Sequence, residues 1–258
     1  MIKAIFFDID GTLLSFNTHR MSEGLKAALW KARDKGLKLF ISTGRSPHFF
    51  GQLEGFPFDG YIAMNGALNV VDGKIVDHSP LEKETSMRIA DFAMRENVPC
   101  WTFGKDVSAI NCMNEVSAEL ANQTLIKPDR FYDLREVAEN NDIYEYSIFM
   151  TEEEINSRFV PVFRGLTYPR WHPYFCDIVN EGLSKSLGAA KILESLGIKR
   201  EECMAFGDGG NDIPIIEYAG IGVAMGNATD NVKAAADYVT LSVDEDGIPA
   251  ALCHFGLV

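Results

Sequence analysis

The chain has 258 residues, 47% of them hydrophobic and 24% charged, and its acidic side chains outnumber its basic ones by 13. That length holds one large or two modest domains with a full apolar core. The acidic balance repels polyphosphate backbones and argues against nucleic acid as a partner, and no run of about 18 apolar residues offers a membrane span.

Residues 3–8, "KAIFFD", are an apolar run rich in β-formers and predict a buried strand. Leu25, Ala28, Leu29 and Ala32 then fall at helical spacing, with Ser22 as N-cap and Gly36 as stop. "LKLFIST" (37–43) and "GYIAMN" (60–65) predict two more strands. Between about 82 and 180 the texture changes. A helix (82–96) precedes "PCWTFG" and "VSAINC", a hairpin around Lys105 and Asp106; "IYEYSIFMT", the helix start "EEEI" and the aromatic "YPRWHPYF" follow. The first grammar then returns. A helix carried by Leu187, Ala190, Ile192, Leu193 and Leu196 leads to strand "CMAFGD" (203–208) and a helix over about 212–219. Strand "IGVAM" (221–225), a helix around 229–236 and strand "YVTLS" (238–242) complete it. Buried strands alternating with helices imply parallel pairing. The expected fold is α/β: a Rossmann-like parallel-sheet core over 1–81 and 181–258, with an inserted α+β cap over 82–180.

Aspartate is poor in strands, and an unpaired carboxylate in a dry interior costs several kcal/mol, so Asp8 and Asp10 in "FFDIDGTLL" require compensation. Asp8, Thr43, Asn65 and Asp208 each stand where a predicted strand gives way to a loop at its C-terminal end. In an open parallel sheet those ends share one edge, and ligands bind there. Asp8, Asp10, Asp208 and Asp212 bring up to four negative charges together, and hard oxygen ligands of this kind suit Mg²⁺. Thr43 and Gly44 offer a hydroxyl and N–H groups, and Lys185 a positive charge at a helix start, which are parts that hold an anion. Carboxylates, a divalent metal and oxyanion donors together point to phosphoryl transfer.

Other chemistries are disfavoured. "FGDGGND" has Asp212 where a dinucleotide loop needs glycine, and no G-x-S-x-G or H-E-x-x-H occurs. The five cysteines form no C-x-x-C pair and read as reduced thiols of a cytoplasmic protein, and the first residues lack the pattern of a signal peptide. Trp101, Phe103, Trp171, Tyr174 and Phe175 are expected mostly to pack the inserted module, Arg45 to pair with a carboxylate, and Asp244 and Asp246 to form a solvated turn.

"DIDGTL" (8–13), "STGR" (42–45), Lys185 in "LSKSLG" and "GDGGND" (207–212) resemble the four ordered motifs of the haloacid dehalogenase-like (HAD) superfamily. The large insertion between the second and third motifs is similar to its Cof-type sugar-phosphatase branch. The resemblance implies Asp8 as a nucleophile that forms an aspartyl-phosphate and Asp10 as acid/base. It implies Mg²⁺ held by Asp8, the backbone carbonyl of Asp10 and Asp208, with Asp212 supporting the metal's waters. Thr43, Gly44, Lys185, Asn211 and the backbone N–H groups near Ile9 and Asp10 would hold the phosphoryl oxygens. Many relatives have glycine where Ser186 follows Lys185 here. The implied protein is a cytoplasmic phosphatase acting on a small phosphorylated metabolite such as a sugar phosphate, as a monomer or small homo-oligomer, with the cap closing over the catalytic edge to select the leaving group. A phosphomutase using the same aspartyl-phosphate is the nearest alternative, and a phospho-aspartate signalling domain a more distant one.

Overall fold

The computed structural model describes residues 1–53, 55–123, 130–170 and 172–258, so Trp171 lies outside the described residues. Two compact units share the chain: Met1–His78 with Leu183–Val258, and Ser79–Gly182. The insertion is slightly wider than 82–180 because its ends are tied to each other. The Asn180 side-chain amide donates to the Ser79 carbonyl and hydroxyl and to the Pro80 carbonyl.

The first unit begins with β1 (Ala4–Phe7), α1 (Glu23–Asp34), β2 (Lys38–Ser42), β3 (Gly60–Ala63), β4 (Leu68–Val71) and β5 (Lys74–His78). The second unit runs α2 (Lys83–Arg95), β6 (Cys100–Gly104), β7 (Ser108–Ile110), α3 (Glu115–Gln123), α4 (Leu134–Asn140), β8 (Ile143–Ile148), the single turn α5 (Glu152–Glu154), β9 (Leu166–Thr167) and β10 (Cys176–Asn180). The chain returns with α6 (Lys185–Leu196), β11 (Cys203–Gly207), α7 (Ile213–Tyr218), β12 (Ile221–Ala224), α8 (Asp230–Ala235), β13 (Tyr238–Val239) and α9 (Gly247–His254).

The first unit's sheet has the order β13-β12-β11-β1-β2-β3-β4-β5. β13 through β3 pair in parallel, which is the expected parallel-sheet core, and β4 and β5 add an antiparallel edge to it. "VVDGKIV" builds that edge: Asp72 and Gly73 both take positive φ (47° and 75°), the signature of a tight hairpin turn. β1 sits between β2 and β11, where the chain's winding reverses, so the crevice beyond the ends of β1 and β11 is the ligand position of such sheets. All four β1 side chains are buried. Phe6 stacks on Phe40 (5.2 Å) toward Ile192 and Leu193 of α6, and Phe7 on Phe206 (5.3 Å) toward Leu25 and Leu29 of α1. α1 follows its sequence pattern: Leu25, Ala28, Leu29 and Ala32 are buried, and Ser22 Oγ accepts from Leu25 N–H. α6 departs from its pattern. Leu187 is exposed, whereas Lys185 and Gly188 face inward, because the first turn of this helix is shaped by a polar contact.

The second unit is an antiparallel sheet, β7-β6-β8-β10-β9. One face packs on α2 and α4, with Tyr146, Ile148 and Ile178 against Ile89, Ala90 and Ala138. Cys100 and Cys176 join this core as free thiols. Of the aromatics singled out above, Trp101, Phe103 and Phe175 are buried and Tyr174 is exposed. Glu145 of β8 is buried too, and its Oε2 has no hydrogen-bond partner among the described residues. Burial, reinforced by Asp177, pushes its pKa well above the ordinary 4.5. Such a carboxyl takes up a proton on folding, so its stabilising contribution is complete below about pH 4.5 and is lost as pH rises through the raised value. Glu145→Gln should therefore make the protein about 1–3 kcal/mol more stable at pH 8 but not at pH 4, as read by chemical denaturation.

Candidate active site

Strand β1 ends at Phe7, and the chain at once folds into tight turns. Leu13 N–H donates to the Asp8 carbonyl and Leu14 N–H to the Ile9 carbonyl. Asp8 and Asp10 therefore do not lie on one extended segment, and their side chains take different partners. Asp8 is buried and receives the Lys185 ammonium on Oδ1 at 2.6 Å. Asp10 is gripped from two sides by Arg45, whose Nε and Nη2 donate to its two oxygens at 2.7 and 2.5 Å. Arg45 is itself anchored on the Phe49 carbonyl and Gln52. The carboxylate partner expected for Arg45 is thus Asp10.

Lys185, fully buried at the start of α6, spans Asp8 and Asp212, with 2.6 Å to each. This ammonium pulls the helix's first turn inward and turns Leu187 out. The other oxygen of Asp212 accepts from the Asp208 and Gly209 N–H groups, which fixes the loop after β11. The loop can close this tightly because residue 207 is glycine: a Cβ there would fall 2.4 Å from that of Asp212. Carboxylate oxygens of Asp8, Asp208 and Asp212 lie within 4.8 Å of one another. Three carboxylates against one ammonium leave an excess of two negative charges. Burial, with Asp212 and Asp10 adding to it and Lys185 opposing, pushes Asp8 up to about 8; burial and Asp212 raise Asp208 to about 6. The Lys185 ammonium stays charged, since Asp212 and Asp8 outweigh the burial that would discharge it. The donor set is wholly hard oxygen, with no sulfur or imidazole in it, so these residues fit a divalent cation of the Mg²⁺ kind.

On the other side of Asp8, Thr43 and Gly44 follow β2. Thr43 is buried, and its Oγ1 accepts from Arg45 N–H. Met64 and Asn65, after β3, both adopt positive φ (49° and 53°), a rare conformation for residues with side chains. It sets Asn65 against Gly44, with the Asn65 Oδ1 accepting from Asn211 Nδ2 at 3.0 Å. The N–H groups of Ile9, Asp10 and Gly44 have no acceptor among the described residues. Such a set of amides beside a buried cation can receive an anion's oxygens.

Comparison with known proteins identifies the architecture. The haloacid dehalogenase-like hydrolase family profile matches residues 5–252. The chain belongs to this family. It is 32% identical to YkrA of Bacillus subtilis (strain 168) over 262 residues, covering 99% of this chain and 98% of that one. It is 30% identical to the same organism's 5-amino-6-(5-phospho-D-ribitylamino)uracil phosphatase YcsE over 261 residues, covering 99% and 96%. The structure of BT4131, a HAD subclass IIB sugar phosphatase, superposes with a TM-score of 0.85 at 40% identity, covering 99% of this chain and all of the other. The Cof-type resemblance of the sequence motifs accords with these relatives.

Two polar residues of this HAD-like site were not singled out in the sequence. Thr12 Oγ1 donates to Asp208 Oδ1 at 3.0 Å, and Asn227 Nδ2 reaches Asp208 Oδ2 at 3.3 Å. Asn227 follows β12, so the reasoning that selected Asp8, Thr43, Asn65 and Asp208 by their places after parallel strands applies to it as well.

Removing the central cation tests the charge balance. Lys185→Met keeps most of the side-chain volume but leaves Asp8 and Asp212 facing each other. Urea unfolding without divalent ions should reveal a loss of about 3–5 kcal/mol at pH 8, and a smaller loss at pH 5, where the two carboxyls can share protons.

Proposed function

We propose that this haloacid dehalogenase-like hydrolase is a Mg²⁺-dependent phosphatase that hydrolyses small phosphate monoesters, sugar phosphates foremost, through a phosphorylated Asp8. The observation that carries the reading is the meeting of Asp8, Asp208 and Asp212 beside the buried Lys185, with the Ile9, Asp10 and Gly44 amides lacking an acceptor among the described residues. Mg²⁺ bound by Asp8, Asp208 and the Asp10 carbonyl, with Asp212 supporting its waters, would offset the two excess negative charges and bring the phosphoryl group toward Asp8.

In the first step an oxygen of the Asp8 carboxylate bonds to phosphorus, the ester P–O bond breaks, and Asp10 gives its proton to the departing alkoxide. In the second, Asp10 takes a proton from water, the water oxygen bonds to phosphorus, and Asp8 leaves as a carboxylate with inorganic phosphate as product. The Arg45–Asp10 pair matches the second step, in which Asp10 begins as a carboxylate. Proton delivery in the first step requires that pair to loosen when the ester binds. Lys185, Thr43, Gly44 and Asn211 hold the phosphoryl oxygens. The inserted unit, which carries none of these groups, is assigned the choice of leaving group. Two relatives support a varied leaving group within one scaffold, since BT4131 is a sugar phosphatase and YcsE acts on a phosphorylated ribitylaminouracil.

Phosphate release from a panel of phosphorylated sugars and nucleotides, with and without Mg²⁺, tests the proposal. Activity should require the metal and be highest with a sugar or polyol phosphate. Asp8→Asn should lose about 10³-fold or more in kcat while unfolding at the wild-type midpoint. Wild-type turnover by that variant would refute the nucleophile. Isomerised sugar phosphate without net phosphate release would favour a mutase.

A further inference from the structure

Asp208 is the most exposed of the three clustered carboxylates and, among the described residues, the one that makes no ion pair, yet its side chain is held at both oxygens. Thr12 engages Oδ1 from the turn after β1. Asn227 engages Oδ2 from the loop after β12, and the same amide nitrogen donates to the Gly11 carbonyl at 2.8 Å. The other end of that amide, Oδ1, accepts from Val243 N–H at 2.9 Å in the loop leading to α9. Gly11 has φ +76° and runs so close to Asp208 that a Cβ would meet Oδ2 at 2.2 Å. One exposed side chain therefore holds the turn that walls in Asp208, the Asp208 carboxylate and the loop behind them.

We propose that Asn227 is a positioning residue that sets divalent-metal affinity by fixing the Asp208 carboxylate toward Asp8 and Asp212. This rests on Asp8, Asp208 and Asp212 being the Mg²⁺ site. A carboxylate already fixed in the ligating rotation gives up less freedom when the ion arrives, so residues behind a metal ligand change affinity without touching the metal. The amide suits the place because it gives a donor to two oxygens and an acceptor to an N–H; an aspartate of the same shape would set oxygen against oxygen. The loop around 240–247 does not depend on Asn227 alone. Asp244 accepts from Ser15 and Asn17, and Asp246 from Ser22, so this segment is a fastened turn and not the merely solvated one expected from sequence.

A purely structural tie and a metal-positioning one respond differently to substitution. Thermal unfolding of the full chain is followed across a MgCl₂ titration for wild type, Asn227→Ala and Ser22→Ala. The last is a control that releases Asp246 of the same loop, and uncaps α1, without touching Asp208. Asn227→Ala should need about tenfold or more Mg²⁺ for half of the melting-temperature rise. Its metal-free melting temperature should fall no further than that of Ser22→Ala, whose Mg²⁺ midpoint should match wild type. The activation constant for Mg²⁺ in phosphate release should move in parallel, with kcat returning toward wild type at saturation. A midpoint for Asn227→Ala within about threefold of wild type overturns the proposal, whatever happens to stability. A wild-type melting temperature indifferent to Mg²⁺ would instead remove the metal site itself, and this inference with it.

Discussion

The buried ammonium of Lys185, 2.6 Å from both Asp8 and Asp212, is the contact on which the rest of the site depends. Three carboxylates within 4.8 Å of one another cannot all ionise in a largely dry setting unless positive charge stands among them. Lys185 supplies one such charge from the first turn of α6, which joins the core sheet's crevice to the helix that packs on Phe6 and Phe40. Charge and packing are therefore coupled here: the same turn that buries the lysine leaves Leu187 in solvent.

What remains uncompensated is directional. The excess of negative charge lies on Asp8, Asp208 and Asp212, while the amides of Ile9, Asp10 and Gly44, without an acceptor among the described residues, offer positive dipoles. A cation and an anion are thus wanted side by side, as a metal-bound phosphate ester provides. Arg45 draws the Asp10 carboxylate out of the acidic cluster by a two-point pair, so the two aspartates of one short motif stand in different electrostatic environments. In the proposed mechanism, that separation lets one attack while the other moves a proton.

Much of this was legible before any coordinates. The burial pattern of α1 follows its apolar spacing residue for residue, and Asp8, Thr43, Asn65 and Asp208 follow the parallel strands that their flanking apolar runs predict. The antiparallel edge is also encoded locally, since "VVDGKIV" carries a hairpin turn at Asp72 and Gly73. Asn227 and Thr12 were harder to find. Their importance lies in partners nearly 20 and 200 residues away, and a single asparagine or threonine after a strand is ordinary loop chemistry until those partners are known.

The sequence by itself determined which residue types are present and which strand ends bear them, because hydrophobic periodicity and local turn chemistry act over a few residues. It therefore fixed an α/β core, an insertion of different texture and a set of carboxylates with one lysine in motif order. Only the tertiary structure decided which carboxylate meets which cation: Lys185 with Asp8 and Asp212, Arg45 with Asp10, and Asp208 left to two neutral donors. Those pairings form across 19 to 196 residues of chain. Their energies depend on distance and burial, which no local pattern encodes.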